Sequence, residues 1–267
     1  MNNIFIPIGF ALLCMSCTSG ETKSTVSAET DTTVVAVEHI IDTVPSGTRI
    51  LMQVYPDKVK GYAEGMLIMD NGDTILYDDG KEKDFVEKLD NSDPEDMFTM
   101  KYSVDGTPEY LSDAGRSRSE HLFKSMYGKS ESEVRRTLVQ VEWFGRNIPF
   151  TTTNGAADSL RVVANELSKM PQYHKYLTNA SSFYWRKVRG ANRQSAHSYG
   201  IAIDINTKYS NYWLWECKGV SETDSIKYNN RIPEEIVLVF EKHGFIWGGR
   251  WYHFDTMHFE FRPELLK

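Results

Sequence analysis

The chain has 267 residues, of which 40% are apolar and 25% charged, and its formal net charge is −7. That length holds one large domain or two small ones with a substantial core, in an ordinary globular composition. The acidic balance, with no concentrated basic face, excludes nucleic acid as a partner. No internal apolar run approaches the roughly 20 residues needed to cross a bilayer, so any membrane attachment falls to the N-terminus.

Residues 1–17, MNNIFIPIGFALLCMSC, read as an export signal, in which an apolar stretch from Ile4 to Leu13 precedes small and sulfur-bearing residues and then Cys17. Ser16-Cys17 after that stretch resembles the bacterial lipobox. This implies an exported protein of the cell envelope, held to a membrane by acyl chains on Cys17; the alternative is an ordinary cleaved signal peptide. With Cys14 removed and Cys17 acylated, Cys217 is the one thiol left in the body, so neither an intramolecular disulfide nor a thiolate metal site is expected. Residues 18–48 are rich in Thr, Ser, Glu and Val and carry no aromatic residue, so they read as a flexible tether, with room for a short strand over 34–41.

The folded body is expected over 49–267. ILMQVYP and GMLIMDNGDTILYDDG contain short apolar runs, with Asn71-Gly72 as a hairpin turn signal. The acidic stretch Asp90–Asp96 reads as loop or helix start. Short helices are expected over 119–128 and 131–139, and LVQVEWF alternates as a strand does. From Asn154 the period becomes helical, with Leu160, Val163, Ala164 and Leu167 on one stripe. A second helix is marked by Pro233 in its first turn, by Ile236, Val237 and Phe240, and by Gly244 at its C-terminal end. In GIAIDIN and MHFEF, apolar residues alternate with polar ones, so each strand buries one apolar face and offers polar groups on the other. The fold class is α+β, with a central antiparallel sheet and flanking helices. A monomer is expected.

Two polar interruptions of these apolar strands carry the chemistry. His197 lies just before GIAIDIN, Asp204 on its polar face, and Gly200 between them lets the backbone turn closely. His258 lies on the polar face of MHFEF, and Asp255 enters from a bend before it. Two neutral imidazoles and one carboxylate make a catalytic zinc set with a fourth position for water; an all-oxygen shell for calcium or magnesium is not available from this set. A carboxylate free of the metal is then needed to move a proton from water to the leaving amine, and Asp255 is the candidate. Burying His and Asp unpaired on apolar strands costs several kcal/mol, a cost that one shared ion removes. Of the seven histidines, His39, His121, His174 and His243 have no partner pattern and read as structural, while His253 lies near the site but outside the motif.

Ser195-x-His197-x-x-Gly200-x-Ala202-x-Asp204, followed by Asp255-x-x-His258-Phe-Glu260, resembles the D-alanyl-D-alanine carboxypeptidase family of zinc metallopeptidases, whose relatives include L-alanyl-D-glutamate endolysins and the hedgehog signalling domain. The motif core spans about 183–262. The resemblance implies a hedgehog-type fold, one zinc ion on His197, Asp204 and His258, Asp255 as general base, and peptidoglycan stem peptides as substrate. It also implies an arginine ahead of the first motif that steadies the scissile carbonyl, with Arg186 chosen and Arg189 as alternate. Glu260 is placed to orient a ligand from behind, and Tyr199, Trp247 and Trp251 belong either to the cleft or to the core. The reading from a different class is a zinc-containing cell-wall binding module without hydrolysis.

Overall fold

The apolar run ILMQVYP is helical. In the computed structural model, which describes residues 44–267, α1 (Ser46–Val54) begins three residues inside the stretch read as tether. The export signal, Cys17, the 34–41 segment and the rest of the tether lie outside the described residues. Leu51 of α1 is fully buried and Tyr55 nearly so, which is why a run too short to show its period becomes a helix against the core.

Strands β1 (Val59–Ala63), β2 (Met66–Met69) and β3 (Thr74–Leu76) form an antiparallel meander. The turn between β2 and β3 holds Asn71 and Gly72, the latter at φ 84°, as the hairpin signal predicts. Helix α2 (Phe85–Asp90) starts where the Asp84 side chain accepts from the Glu87 N–H at 2.9 Å. Helices α3 (Glu120–Tyr127) and α4 (Glu131–Arg135) follow, capped by Ser119 and Ser130. α4 ends short of the expected 139, because Leu138 already opens β4 (Leu138–Trp143).

β4 pairs with β5 (Arg146–Thr151) through a turn in which Phe144 and Gly145 both have positive φ. The sequence gives no alternation to announce β5, and Pro149 within it argues against a strand. A two-stranded ladder tolerates the proline because both strands are edges. Helix α5 (Ala156–Ser168) lays Leu160, Val163 and Leu167, all fully buried, on the core. The single turn α6 (His174–Leu177) leads toward the site.

The last sheet carries the chemistry. Its strands are β6 (Ala202–Asp204), β7 (Phe245–Trp247) and β8 (His258–Phe261), in the order β6-β8-β7 and antiparallel throughout. Between β6 and β7 lie α7 (Trp213–Glu216) and α8 (Glu234–Lys242). α8 begins directly after Pro233, which stands at the N-cap position and not in the first turn and makes no side-chain capping bond, and it ends before Gly244 at φ 88°. A Cβ at Gly244 would stand 2.9 Å from the Phe261 ring, so the turn into β7 needs the glycine. Phe240 of α8 stacks on Phe259 of β8 with ring centroids 3.8 Å apart. The α+β class therefore holds, with three small antiparallel sheets in place of one central sheet.

Because β8 is the middle strand, its polar face is covered as well: His258 is 7% exposed and Glu260 is 0%. Glu260 accepts from Arg262 at 2.9 Å, and the Arg262 Nε donates to Glu264 at 2.5 Å. Glu264 in turn pairs with the Tyr55 hydroxyl beyond α1, and Arg262 donates to the Gly115 carbonyl at 3.0 Å. These bonds fasten the first third of the described chain to the end of β8, and residues 44–267 form one compact unit.

Candidate metal centre

His197 sits in a single 3-10 turn, Ala196–Tyr199, that ends at Gly200 with φ 68°. A Cβ on Gly200 would meet Leu138 at 2.6 Å, so glycine serves both the left-handed backbone and the close packing. The His197 Nδ1 lies 2.7 Å from the Ser182 carbonyl. A carbonyl only accepts, so Nδ1 carries the proton and Nε2 presents its lone pair. Ser182 is held there because Ser181 and Asp204 exchange backbone bonds of 2.9 and 2.8 Å beside β6.

Asp204 ends β6 directly opposite His258 in the β6–β8 register. The His258 Nε2 lies 3.3 Å from Glu260 Oε2, so that nitrogen donates and Nδ1 is left as the free lone pair. The three free acceptors converge. Asp204 Oδ1 lies 3.0 Å from His258 Nδ1 and 3.2 Å from His197 Nε2, and the two nitrogens are 3.2 Å apart. Three lone pairs facing one another repel unless a cation or proton sits among them. Tetrahedral zinc with bonds of about 2.0–2.1 Å separates its ligands by roughly 3.3 Å, so the donor triangle fits such an ion.

The electrostatics carry the same message. Burial alone would lower the His258 pKa, but the bonds to Asp204 and Glu260 outweigh it and hold the imidazole up at about 10. Burial works to raise Asp204, yet His197 and His258 hold that carboxyl far below its ordinary value. Protein alone thus draws a proton into the triangle, in the place that a bound cation would take.

Asp255 reaches the same cleft from the bend before β8. Its N–H donates to the Gly248 carbonyl at 2.9 Å, and a backbone bridge ties it to Tyr212. A Cβ on Gly248 would lie 2.5 Å from the Asp255 carbonyl oxygen, so the approach depends on glycine there. Asp255 Oδ1 is buried and has no hydrogen-bond partner. Burial first, then the charge of Asp204, push this carboxyl up to about 7.

These groups line a cleft of about 490 Å³ together with Ser195, Trp251 and Arg186. The Arg186 backbone is pinned by Ser198, whose Oγ accepts from its N–H at 2.9 Å and donates to its carbonyl at 2.8 Å. Among the described residues, its exposed guanidinium bonds only to the neighbouring Lys187 carbonyl, at 3.3 Å. Arg189, the alternate, lines the cleft as well. Of the three aromatics left open, Trp251 lines the cleft with its ring 5.5 Å from His258, while Tyr199 and Trp247 are buried in the core.

Sequence reasoning missed a second layer. His253 Nδ1 lies 2.6 Å from Asp113 Oδ2, and Arg116 is ion-paired with Asp113 at 2.6 Å and with both oxygens of Glu222 at 2.9 and 3.0 Å. By spacing alone Asp113, Glu222 and His253 resemble another metal site. The Arg116 guanidinium already supplies the positive charge between the two acids, so this trio fixes Arg116 at the cleft wall. The one sequence signal was the run Asp113-Ala-Gly-Arg116-Ser-Arg118, which says nothing of its distant partners.

A buried two-histidine, one-aspartate triangle at the end of paired strands has the donors to hold a metal ion, with an unpartnered carboxylate oxygen in the same cleft. Residues 189–261 match the family model described as D-alanyl-D-alanine carboxypeptidase. The match takes in His197, Asp204, Asp255 and His258 but covers well under half of the chain. No curated protein and no solved structure matches.

Proposed function

We infer that the protein is a zinc-dependent peptidase that hydrolyses peptide bonds in peptidoglycan stem peptides. The observation that carries this reading is the meeting of three free lone pairs, 3.0–3.2 Å apart, beside the unpartnered Asp255 oxygen. His197 Nε2, Asp204 Oδ1 and His258 Nδ1 hold one zinc ion. Bound there, zinc supplies a Lewis acid that polarises a carbonyl and lowers the pKa of water to about 7.

The chain's own groups do the rest. Asp255, ionised, accepts a proton from the water whose oxygen bonds to the scissile carbonyl carbon. As the C–N bond breaks, Asp255 passes that proton to the leaving amine. Arg186, anchored through its backbone and exposed at its guanidinium, donates toward the carbonyl oxygen as negative charge develops. Glu260 and the Ser182 carbonyl keep the imidazoles in the tautomers that face the ion. The protein is exported and held at the membrane by acylated Cys17, which puts the cleft on the side where its substrate lies.

A zinc-containing binding module without hydrolysis has no use for an unpartnered carboxylate kept beside the triangle, so Asp255 favours the enzyme. Purified muropeptides incubated with the zinc-loaded protein, with and without a chelator, test the reading. Cleavage abolished by the chelator is expected, and product masses identify the bond as D-Ala–D-Ala or L-Ala–D-Glu. Intact muropeptides throughout would refute hydrolysis and leave the binding module.

A further inference from the structure

The cleft wall reverses the sign of the whole chain. The protein carries −7, yet the cations lining the cleft are Arg116, Arg118, Arg186, Lys187, Arg189 and Arg193, against the carboxylates of Asp204 and Asp255. Arg116 is paired through both Nη groups with Asp113 and Glu222. Arg118 and Arg193 are not, although each side chain is only 9% exposed.

Arg118 commits its Nη1 to the Gly115 carbonyl at 2.9 Å and to Glu260 at 3.2 Å; Arg193 commits its Nη1 to Asp90. The Nε of each is buried without a partner. Among the described residues, the Nη2 of each makes no hydrogen bond either. Their acids are poorly matched to them. Glu260 is shared with Arg262 and His258, and the Asp90 side chain is 40% exposed. Burial, then the nearby charges of Arg116 and Arg118, hold Arg193 down to about 10, and burial lowers Arg118 as well. Two buried, half-satisfied guanidinium groups beside a third are costly to the protein alone. A ligand carboxylate would offset part of that cost by accepting from the Nη2 groups, since carboxylates take paired N–H bonds from guanidinium groups. Arg118 and Arg193 also line the adjoining cavity of about 840 Å³, so they form the wall it shares with the metal-site cleft.

Resting on the peptidase reading, we propose that Arg118 and Arg193 form a carboxylate subsite that selects acidic peptides and grips a free carboxylate away from the scissile bond. That carboxylate is either the peptide C-terminus or the side group of an acidic residue. Arg118 lies outside the segment matched by the family model and Arg193 within it, so the subsite joins that segment to the chain before it.

Calorimetry in an Asp255→Ala background, which removes turnover, separates the two sources. A stem peptide is titrated as the free acid, as the C-terminal amide, and as the amide at its D-glutamate carboxyl. One of the two amides is expected to bind about tenfold more weakly than the free acid, or worse. R193Q and R118Q should weaken the free acid by a similar factor while leaving that amide unchanged, which also shows that the variants fold. Should R118Q lose the amide too, having deprived buried Glu260 of a partner, R193Q decides. Equal binding of all three forms, no binding of any, or an undiminished preference in R193Q overturns the subsite. Hydrolysis by the unsubstituted protein is scored separately: carboxylate preference without cleavage sinks the peptidase reading and leaves the subsite standing.

Discussion

Asp204 and His258 face each other across the β6–β8 ladder, with Oδ1 3.0 Å from Nδ1. A single register therefore places two corners of the donor triangle, and the turn ending at Gly200 brings in the third. The position of the proposed ion is thus set by backbone pairing and not by flexible side chains.

The ligands and the base should separate cleanly in mutants. His197→Ala is expected to lose both bound zinc and activity. Asp255→Ala should keep about one zinc per chain yet lose about 10²–10⁴-fold in kcat. Metal content by plasma emission, alongside peptide cleavage, checks both. Full activity in Asp255→Ala would remove that residue from the chemistry.

Arg186→Gln tests the carbonyl-facing role. Its guanidinium makes no contact with the triangle, so zinc content should not change. The kcat should fall about 10²–10³-fold, as when one donor to a developing oxyanion is removed, with little change in KM. A variant that raised KM alone would make Arg186 a binding residue.

The pH profile should show an acid limb. Asp255 has to release its own proton before it can accept one, so activity falls as pH drops through its pKa. Burial and Asp204 raise that pKa to about 7 in the protein alone, and a bound dication draws it back toward the ordinary 3.8. The limb in kcat/KM is therefore expected between those two values. A rate that stays flat over that whole window would be inconsistent with Asp255 as the base.

Gly248→Ala should act at a distance. The new Cβ would stand 2.5 Å from the Asp255 carbonyl oxygen, so the bend carrying Asp255 has to shift. Misplacement of about 1 Å costs on the order of 10²-fold in rate. Retained zinc with lost activity is the expected pair of readings; an unchanged rate would show that the bend is not what aims Asp255.

Glu260→Gln should show two effects at once. Behind His258, it should weaken zinc about 10–100-fold. It also leaves Arg118 and Arg262 short of a buried partner, for which about 3–5 kcal/mol of stability is the usual loss. Chelator competition and denaturant unfolding read the two separately.

The triangle was legible because His and Asp interrupt strands whose other residues are strongly apolar, and because glycines stand where the backbone has to turn. Asp255 was legible as a residue that cannot belong to the regular strand. The wall of the cleft was not. His253 meets Asp113 across 140 positions, Arg116 meets Glu222 across 106, and Arg118 meets Glu260 across 142; such pairs leave no local period. β5 was hidden by Pro149, and α1 by an apolar run too short to distinguish helix from strand. Local pattern therefore reported the donors, while tertiary packing decided which cations surround them.

The most direct measurement is diffraction at the zinc absorption edge from crystals of the zinc-loaded protein. One anomalous peak is expected, bounded by His197 Nε2, Asp204 Oδ1 and His258 Nδ1 and absent in His197→Ala. A peak at Asp113, Glu222 and His253 instead, or none inside the triangle at full zinc loading, would contradict it.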